Sequence, residues 1–224
     1  MALLVVLTTA APSHARQPES AGQPEDSLRI YAARLAKTPP LKPPFTGYAI
    51  YLGRNAFLSA AHVVGRWPLF TRPRILVDGQ DLPATVIKMG FSEDIDLTLV
   101  TVDAARLPIS LRLRRTPLCK APPVPGEVVF GVTPDRVTPT HTVSPLLVAP
   151  EHRKKFNTLT SRVVTPSGSG IFRATTKCLL GIVSTAVPRF RMLPPTDGEA
   201  IDERAGYFVS ATKIMEFLPK EFRY

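Results

Sequence analysis

A serine in a tight turn is the residue of this chain best suited to nucleophilic chemistry. Residues 163–172 are Val-Val-Thr-Pro-Ser-Gly-Ser-Gly-Ile-Phe, so Ser167 opens a Ser-Gly-Ser-Gly turn. Glycine lets a chain fold back closely. A nucleophilic serine also needs backbone N–H groups beside it that receive an oxyanion. By composition alone the same stretch is typical of an ordinary loop, so its interpretation depends on the rest of the chain.

Two further stretches contain the base and the carboxylate that such a serine requires. Residues 56–64 are Ala-Phe-Leu-Ser-Ala-Ala-His-Val-Val, and residues 93–100 are Glu-Asp-Ile-Asp-Leu-Thr-Leu-Val. His62 is suited to take the serine proton, and Asp96 to hold the histidine in the correct tautomer. Asp94 and Asp103 compete with Asp96 for that role. Asp96 is favoured because alternating leucines follow it directly, which is typical of a residue at the mouth of a strand.

These stretches resemble the trypsin/chymotrypsin-like serine peptidases, especially their bacterial exported branch. Residues 58–62 (Leu-Ser-Ala-Ala-His) are similar to the family's L-T-A-A-H motif, and residues 96–100 (Asp-Leu-Thr-Leu-Val) to its D-I-A-L-L motif. Residues 167–172 (Ser-Gly-Ser-Gly-Ile-Phe) are similar to S-G-S-P-V-F, residues 180–184 (Leu-Gly-Ile-Val-Ser) to L-x-G-I-V-S, and residues 206–209 (Gly-Tyr-Phe-Val) to the last strand. The likeness covers residues 44–219 and implies a His62, Asp96, Ser167 triad, whose chain order is that of chymotrypsin.

The resemblance also assigns residues around the triad. It makes the N–H groups of Thr165 and Ser167 the oxyanion donors, although the family has glycine where Thr165 stands and an acid or amide where Pro166 stands. Ser169 is a rival nucleophile, but it would put the following Ile-Phe pair out of the family's register.

Substrate contacts follow from the same resemblance. The strand that contains Ser184, Thr185 and Ala186 is expected to pair with the substrate backbone. Ser161 or Arg162 is expected at the base of the primary pocket, with Ala186 in its wall. Nothing there dictates a preference for a charged residue, as an acid would.

The resulting expectation is an all-β protein with two six-stranded antiparallel β-barrels of the chymotrypsin type and a short C-terminal helix. We expect a signal peptide at 1–15, an N-terminal extension at 16–43 with a short helix over 26–36, a first barrel at 44–112, and a second barrel with the helix at 113–224. The 224 residues, of which 44% are hydrophobic and 24 are proline, suit short strands and turns. Residues 185–205 are expected to form a long loop beside the cleft.

Composition limits the other functions. The chain has 28 Lys and Arg against 18 Asp and Glu, a formal net charge of +10. The basic residues are spread out, which indicates a solvated basic surface that attracts acidic partners rather than a specific nucleic-acid site. No metal-ligand spacing and no phosphate-binding glycine loop occur, so no cofactor is expected. The expected partner is a peptide or protein substrate.

Two functions therefore compete. The first is an exported serine endopeptidase that hydrolyses peptide bonds through the triad. The second is a catalytically impaired pseudopeptidase, a peptide-binding or scaffold module, and it is favoured by Thr165 and Pro166. Cys119 and Cys178 are the only cysteines. In an exported chain they allow one disulfide, and the alternative is a pair of buried free thiols.

The N-terminus generates a testable prediction about export. Residues 2–11 are uncharged and mostly apolar, and Ser13-His14-Ala15 fits a small-x-small cleavage site, so we expect a mature chain that begins at or near Arg16. N-terminal sequencing of protein secreted by a native host measures this. An exported, soluble form that retains Met1 contradicts it.

Overall fold

The protein consists of two closed antiparallel β-barrels. The computed structural model describes residues 24–38, 45–65, 72–91, 93–162, 165–188 and 204–223. The strands are β1 (Ala32–Thr38), β2 (Phe45–Gly53), β3 (Ala56–Ser59), β4 (Arg72–Val77), β5 (Gln80–Met89), β6 (Thr98–Val102), β7 (Val128–Val132), β8 (Val137–Val143), β9 (Leu159–Thr160), β10 (Gly170–Arg173), β11 (Leu179–Pro188) and β12 (Arg204–Ser210). The α-helices are α1 (Ala61–Val64), α2 (Ile109–Arg112) and α3 (Ala211–Phe217), and 3-10 helices cover Pro24–Tyr31, Ala104–Arg106, Pro145–Leu147, Pro150–His152 and Lys220–Phe222. None of the helices in the described ranges has the length and apolar character needed to cross a bilayer.

The first barrel has the strand order β1-β2-β3-β6-β5-β4, and the second has the order β10-β11-β12-β9-β8-β7. Each barrel closes on itself, which removes exposed sheet edges. The two six-stranded barrels and the short C-terminal helix α3 confirm the predicted fold class. Ser210 caps α3, because its hydroxyl accepts a hydrogen bond from the Lys213 N–H.

The expected helix over residues 26–36 is wrong in its second half. A 3-10 helix ends at Tyr31, and the chain continues as β1, which pairs with both β2 and β4. Ala33 and Leu35, two residues apart, are both fully buried inside the barrel. The spacing of apolar residues in this segment fits a helix as well as a strand. The segment forms a strand because it pairs with a neighbouring strand on each side. The first barrel thus begins before the boundary expected at residue 44.

The second barrel also differs from expectation in detail. The strand β8 ends at Val143, and a 3-10 turn begins at Pro145, because proline has no N–H for a ladder. The short strand β9 follows at Leu159–Thr160, and residues 163 and 164 lie outside the described residues. Of the expected loop at 185–205, residues 185–188 extend β11 and 189–203 are not described. The signal segment 1–15 also lies outside the described residues.

The largest buried cluster lies between the barrels. Ile50 and Leu58 of the first barrel belong to the same buried cluster as Phe172 and Ile182 of the second. The N-terminal segment joins this cluster through Leu28, which is 3% exposed. Burial of one large apolar side chain stabilises the fold by about 1.5–3 kcal/mol. The shared cluster therefore holds the two barrels together as one packed unit, and the candidate site lies at their interface.

A disulfide joins Cys119, before the first strand of the second barrel, to Cys178, just before β11. Their Cα atoms are 5.1 Å apart, and 59 residues separate them in sequence. The bridge packs with Val129, Ile171 and Phe208 inside the second barrel. It therefore ties the segment that enters this barrel to the strand that passes the candidate site.

Removal of this bridge is expected to destabilise the protein. A cross-link that closes a loop of this length lowers the entropy of the unfolded chain by the equivalent of about 4 kcal/mol. We expect the double variant Cys119→Ala/Cys178→Ala to unfold at a clearly lower denaturant concentration than the oxidised wild type. Wild-type protein in excess dithiothreitol is the control and should approach the variant. Equal midpoints for oxidised wild type and variant contradict the expectation.

Candidate active site

His62 and Asp96 lie in direct contact at the mouth of the first barrel. His62 belongs to the short helix α1, which follows β3, and Asp96 lies two residues before β6, the strand paired with β3. The Asp96 Oδ2 is 2.7 Å from the His62 Nδ1, and Oδ1 accepts the His62 backbone N–H at 2.9 Å. One carboxylate therefore fixes both the ring and the backbone of the histidine. Asp94 is exposed, and the histidine contact belongs to Asp96.

Ser184 supplies a third hydrogen bond to this carboxylate. Its hydroxyl donates to Asp96 Oδ2 at 2.5 Å. The pairing of β11 with β12 shifts register between Val183 and Thr185, which leaves Ser184 as the extra residue of a bulge. A bulge re-aims a side chain relative to the regular alternation, and here it accounts for a hydroxyl directed from the second barrel to an acid of the first. The sequence indicated a role for Ser184 in substrate pairing only.

These donors set the charge state of Asp96. Burial alone raises the pKa of a carboxyl, and Asp96 is only 5% exposed. The hydrogen bonds from the His62 ring, the Ser184 hydroxyl and the His62 N–H outweigh burial and lower the pKa of Asp96 from its ordinary value. Because the folded pKa is the lower one, this group stabilises the fold above the ordinary carboxyl pKa. That contribution is lost as the pH falls toward the lowered value.

Ser167 lies in a turn that both barrels hold. Gly168 adopts a φ of +86°, and its N–H donates to the Val183 carbonyl at 2.8 Å. The Ser167 carbonyl accepts the Tyr48 N–H of β2 at 3.0 Å. A Cβ on Gly168 would overlap the Tyr48 carbonyl oxygen and lie 2.8 Å from the Ser59 Oγ. The turn therefore requires glycine for its φ and for its close approach to the first barrel.

The Ser167 hydroxyl donates to the Ser184 carbonyl at 2.8 Å and not to His62. Ser184 thus contacts two members of the expected triad, one through its side chain and one through its backbone. Ser167 is partly exposed, whereas the rival Ser169 is completely buried. The Ser169 hydroxyl has no hydrogen-bond partner among the described residues. Ser167 is therefore the accessible hydroxyl of this turn.

Thr165, the expected oxyanion residue, is 3% exposed. Its hydroxyl is buried without a hydrogen-bond partner among the described residues. A buried hydroxyl without a partner is unfavourable, and the two residues directly before Thr165 lie outside the described residues. Further along the loop, the Gly168 turn fixes the chain direction after Ser167.

The residues expected to contact substrate lie along the second barrel. Thr185 is exposed and Ala186 half-buried on β11, opposite Tyr207 and Gly206 of β12. The Ser161 Oγ lies 2.9 Å from the Thr140 Oγ1, and Arg162 is exposed. Ser161 thus forms a small polar pair with Thr140 at the expected base of the primary pocket. Neither residue is the acid that would dictate a preference for a charged substrate residue.

A cavity of about 360 Å³ lies beside His62, and no sequence pattern predicted it. Its lining combines the catalytic candidates with residues from both barrels: His62, Glu93, Asp94, Asp96, Lys155, Phe156, Ser184, Thr185 and Tyr207. The rings of Phe156 and Tyr207 meet edge to face at 5.0 Å. Burial first and the charge of Asp96 second raise the pKa of Tyr207 to about 12, so its phenol stays neutral.

Solved structures similar to this chain include several serine proteases. The active form of the Rv3671c protease from M. tuberculosis superposes with a TM-score of 0.57 at 16% identity, covering 97% of this chain and 93% of that one. The MamO protease domain from Magnetospirillum magneticum gives 0.56 at 16% identity, covering 88% and 100%. Neuropsin from mouse brain gives 0.59 at 12% identity, covering 84% and 92%.

The chain has the chymotrypsin-like fold. No protein-family model and no curated protein matches it. At such low identity the likeness establishes architecture, and the chemistry depends on the residues themselves.

The turn at Gly168 generates a prediction about stability. Gly168→Ala is expected to lower the free energy of unfolding by about 1–3 kcal/mol for the left-handed φ. Overlap with the Tyr48 carbonyl should add about 1–3 kcal/mol. Gly79→Ala is the matched control, because Gly79 has a φ of +73° and no atom within 4 Å of the position that a Cβ would take. Thermal unfolding of both variants measures the difference, and equal losses contradict the close approach.

Proposed function

We propose that this chain is an exported serine endopeptidase that hydrolyses peptide bonds through His62, Asp96 and Ser167. The observation that carries the proposal is the Asp96 carboxylate, which holds both the ring and the backbone of His62, together with an accessible serine in a glycine turn. A buried carboxylate that fixes a histidine by its Nδ1 leaves the Nε2 available as a base. The chymotrypsin-like fold and the disulfide are consistent with this function and with export.

The proposed reaction follows from these roles. Ser167 rotates away from the Ser184 carbonyl, and its proton passes to the His62 Nε2 as the Oγ forms a bond to the substrate carbonyl carbon. The N–H groups of Thr165 and Ser167 stabilise the resulting oxyanion. The C–N bond then breaks, and His62 returns the proton to the leaving amine. A water molecule repeats the sequence on the acyl-enzyme and releases Ser167.

A second candidate is a peptide-binding pseudopeptidase with the same fold. Two features favour it: Thr165 and Pro166 replace the family's oxyanion-loop residues, and the Ser167 hydroxyl is hydrogen-bonded to the Ser184 carbonyl. In this case the strand at Ser184–Ala186 binds peptide without cutting it. The two candidates differ in whether Ser167 reacts with an electrophile.

Substitutions in the turn test the peptidase. Ser167→Ala is expected to lower kcat by at least about 10³-fold, because members of a triad act together. Ser169→Ala should keep most of the activity, since the Ser169 hydroxyl makes no hydrogen bond within the described residues that could be lost. Thr165→Gly should raise the rate by up to about 10²-fold, because glycine presents its N–H to the oxyanion more readily than a β-branched residue. Hydrolysis of casein-derived peptides and labelling by a fluorophosphonate probe measure these effects.

The same experiment separates the two candidates. Labelling of the wild type that Ser167→Ala abolishes supports the peptidase. If the wild type and Thr165→Gly are both inert towards peptides and the probe, the peptidase is excluded and the binding module takes its place.

A further inference from the structure

The segment between β6 and β7 carries charge of one sign. Between Asp103 and Glu127 the chain contains four arginines, one lysine and no acidic residue: Arg106, Arg112, Arg114, Arg115 and Lys120. Arg112 and Arg114 are exposed, and none of the ion pairs among the described residues involves either of them. This segment therefore gives the surface a cationic part beside the first barrel.

Two large apolar side chains are exposed in the same segment, at the two ends of the short helix α2. Leu113 is 83% exposed and Ile109 is 65% exposed. The Leu113 N–H donates to the Ile109 carbonyl at 3.3 Å, so the helical geometry continues to Leu113. At about 3.6 residues per turn, Ile109, Arg112 and Leu113 lie within about 100° of one another around the helix axis. Leu111 lies on the opposite side and is buried in the core of the first barrel. Ile109, Arg112, Leu113 and the neighbouring Arg114 together form an exposed surface, the α2 face.

Two acidic residues lie beside α2, but on its other side. Asp26 and Asp78 line a cavity of about 350 Å³ that Ser110 and Leu111 of the helix also line. None of the residues of the α2 face lines this cavity, so the face is directed away from both carboxylates. The α2 face therefore presents an apolar pair and two arginines without an acid among them.

The α2 face lies at the end of the first barrel that is remote from His62 and Asp96. Strand β6 begins two residues after Asp96 and spans five residues, about 17 Å at about 3.3 Å per residue, before the chain enters the segment that contains α2. After α2, the Thr116 N–H donates to the Leu52 carbonyl at 3.2 Å, close to the turn between β2 and β3 at that same end. A contact made through the α2 face therefore leaves the candidate active site open.

We infer that the α2 face is a docking surface for an anionic lipid bilayer. In this contact Ile109 and Leu113 are buried at the boundary between headgroups and acyl chains, and Arg112 and Arg114 bind lipid phosphates. Amphipathic helices bind at this boundary through their apolar area and through attraction to anionic lipid. The inference does not depend on the proposed peptidase, since no part of the contact involves Ser167.

A bilayer fits this surface better than two other kinds of partner. A soluble polyanion would pair with the arginines but would leave the two exposed aliphatic side chains in water. A second copy of this chain, bound through the same face, would bring Arg112 and Arg114 against their own copies, and like charges across an interface are unfavourable. An anionic bilayer accommodates the apolar pair and the arginines together.

Cosedimentation of the full 224-residue chain with lipid vesicles tests the inference. Vesicles of phosphatidylglycerol mixed with phosphatidylcholine are compared with vesicles of phosphatidylcholine alone. Because each basic residue near an anionic surface strengthens binding by about fivefold, the anionic vesicles should bind the protein at least about tenfold more tightly at low salt. This preference should fall as salt rises from about 0.05 to about 0.5 M, because screening weakens the attraction. Equal binding to both kinds of vesicle contradicts the inference.

Paired variants identify the residues responsible. Arg112→Gln/Arg114→Gln should weaken binding to the anionic vesicles by about 25-fold, which is the loss of two such attractions. Ile109→Ser/Leu113→Ser should weaken it by at least about tenfold, because each side chain loses part of the free energy of apolar burial. All four side chains are exposed, so both variants are expected to unfold at the wild-type temperature.

Matched controls remove the same kinds of side chain outside the segment between β6 and β7. Arg72→Gln/Lys154→Gln removes two exposed cations, one at the start of β4 and one in the second barrel. Phe91→Ser/Leu146→Ser removes two apolar side chains that are 63% and 67% exposed. Both controls should bind the anionic vesicles as tightly as the wild type does.

A fluorescent reporter locates the contact independently of these variants. Cys119 and Cys178 are joined in a disulfide, so Leu113→Cys introduces a single free thiol for an environment-sensitive nitrobenzoxadiazole label. Anionic vesicles should shift the emission of this label to the blue, because the contact places it at the apolar boundary. The same label on Leu146→Cys should show no shift.

Three results would overturn the docking surface. The first is an unshifted label on Leu113→Cys, or vesicle binding that every variant keeps, which assigns the binding to another part of the chain. The second is binding that Arg112→Gln/Arg114→Gln loses but Ile109→Ser/Leu113→Ser keeps, which indicates a site for soluble polyanions. The third is self-association of the wild type without lipid, measured by light scattering, that Leu113→Ser abolishes, because the face then contacts a second copy.

Discussion

The buried charge of Asp96 is the interaction on which the arrangement at the barrel interface depends. A carboxylate that is 5% exposed is stable only when hydrogen bonds replace its lost hydration. Two of its donors come from His62 in the first barrel, and the third comes from Ser184 in the second. Separation of the barrels would leave this charge partly unsatisfied. The geometry of His62 is therefore coupled to the packing of the two barrels, and a change at either side reaches the histidine.

The turn at Ser167 depends on the same packing in a different way. Its carbonyl accepts a hydrogen bond from Tyr48 of the first barrel, while the N–H of Gly168 donates to Val183 of the second. The Ser59 hydroxyl, completely buried, donates to the Tyr48 carbonyl at 2.6 Å and fills the space beside the glycine. Backbone contacts on both sides thus set the position of Ser167, and they depend on glycine at position 168.

The sequence predicted the parts of the site that local patterns encode. His62 and Asp96 flank the paired strands β3 and β6, whose apolar runs are visible in the chain, and the Ser-Gly turn follows from composition. It did not predict β1, because its apolar spacing fits a helix equally well until pairing with β2 and β4 decides. The hydrogen bond from Ser184 to Asp96 was also missed, since it comes from a bulge, and a bulge depends on the partner strand. The cavity at Tyr207 requires residues far apart in sequence to meet, and no local pattern encodes that.

Magnitudes decide which departures from the family's pattern matter for the proposed reaction. The hydrogen bond from Ser167 to the Ser184 carbonyl contributes about 0.5–1.5 kcal/mol net, so its rupture slows a reaction by about tenfold at most. A misplaced oxyanion donor costs about 2.7–4 kcal/mol. For the proposed reaction the orientation of the serine is therefore the smaller obstacle, and a misplaced N–H at Thr165 would be the larger one. For the proposed reaction, the position of His62 and the backbone at Thr165–Ser167 would both have to be set by the packing of the same two barrels.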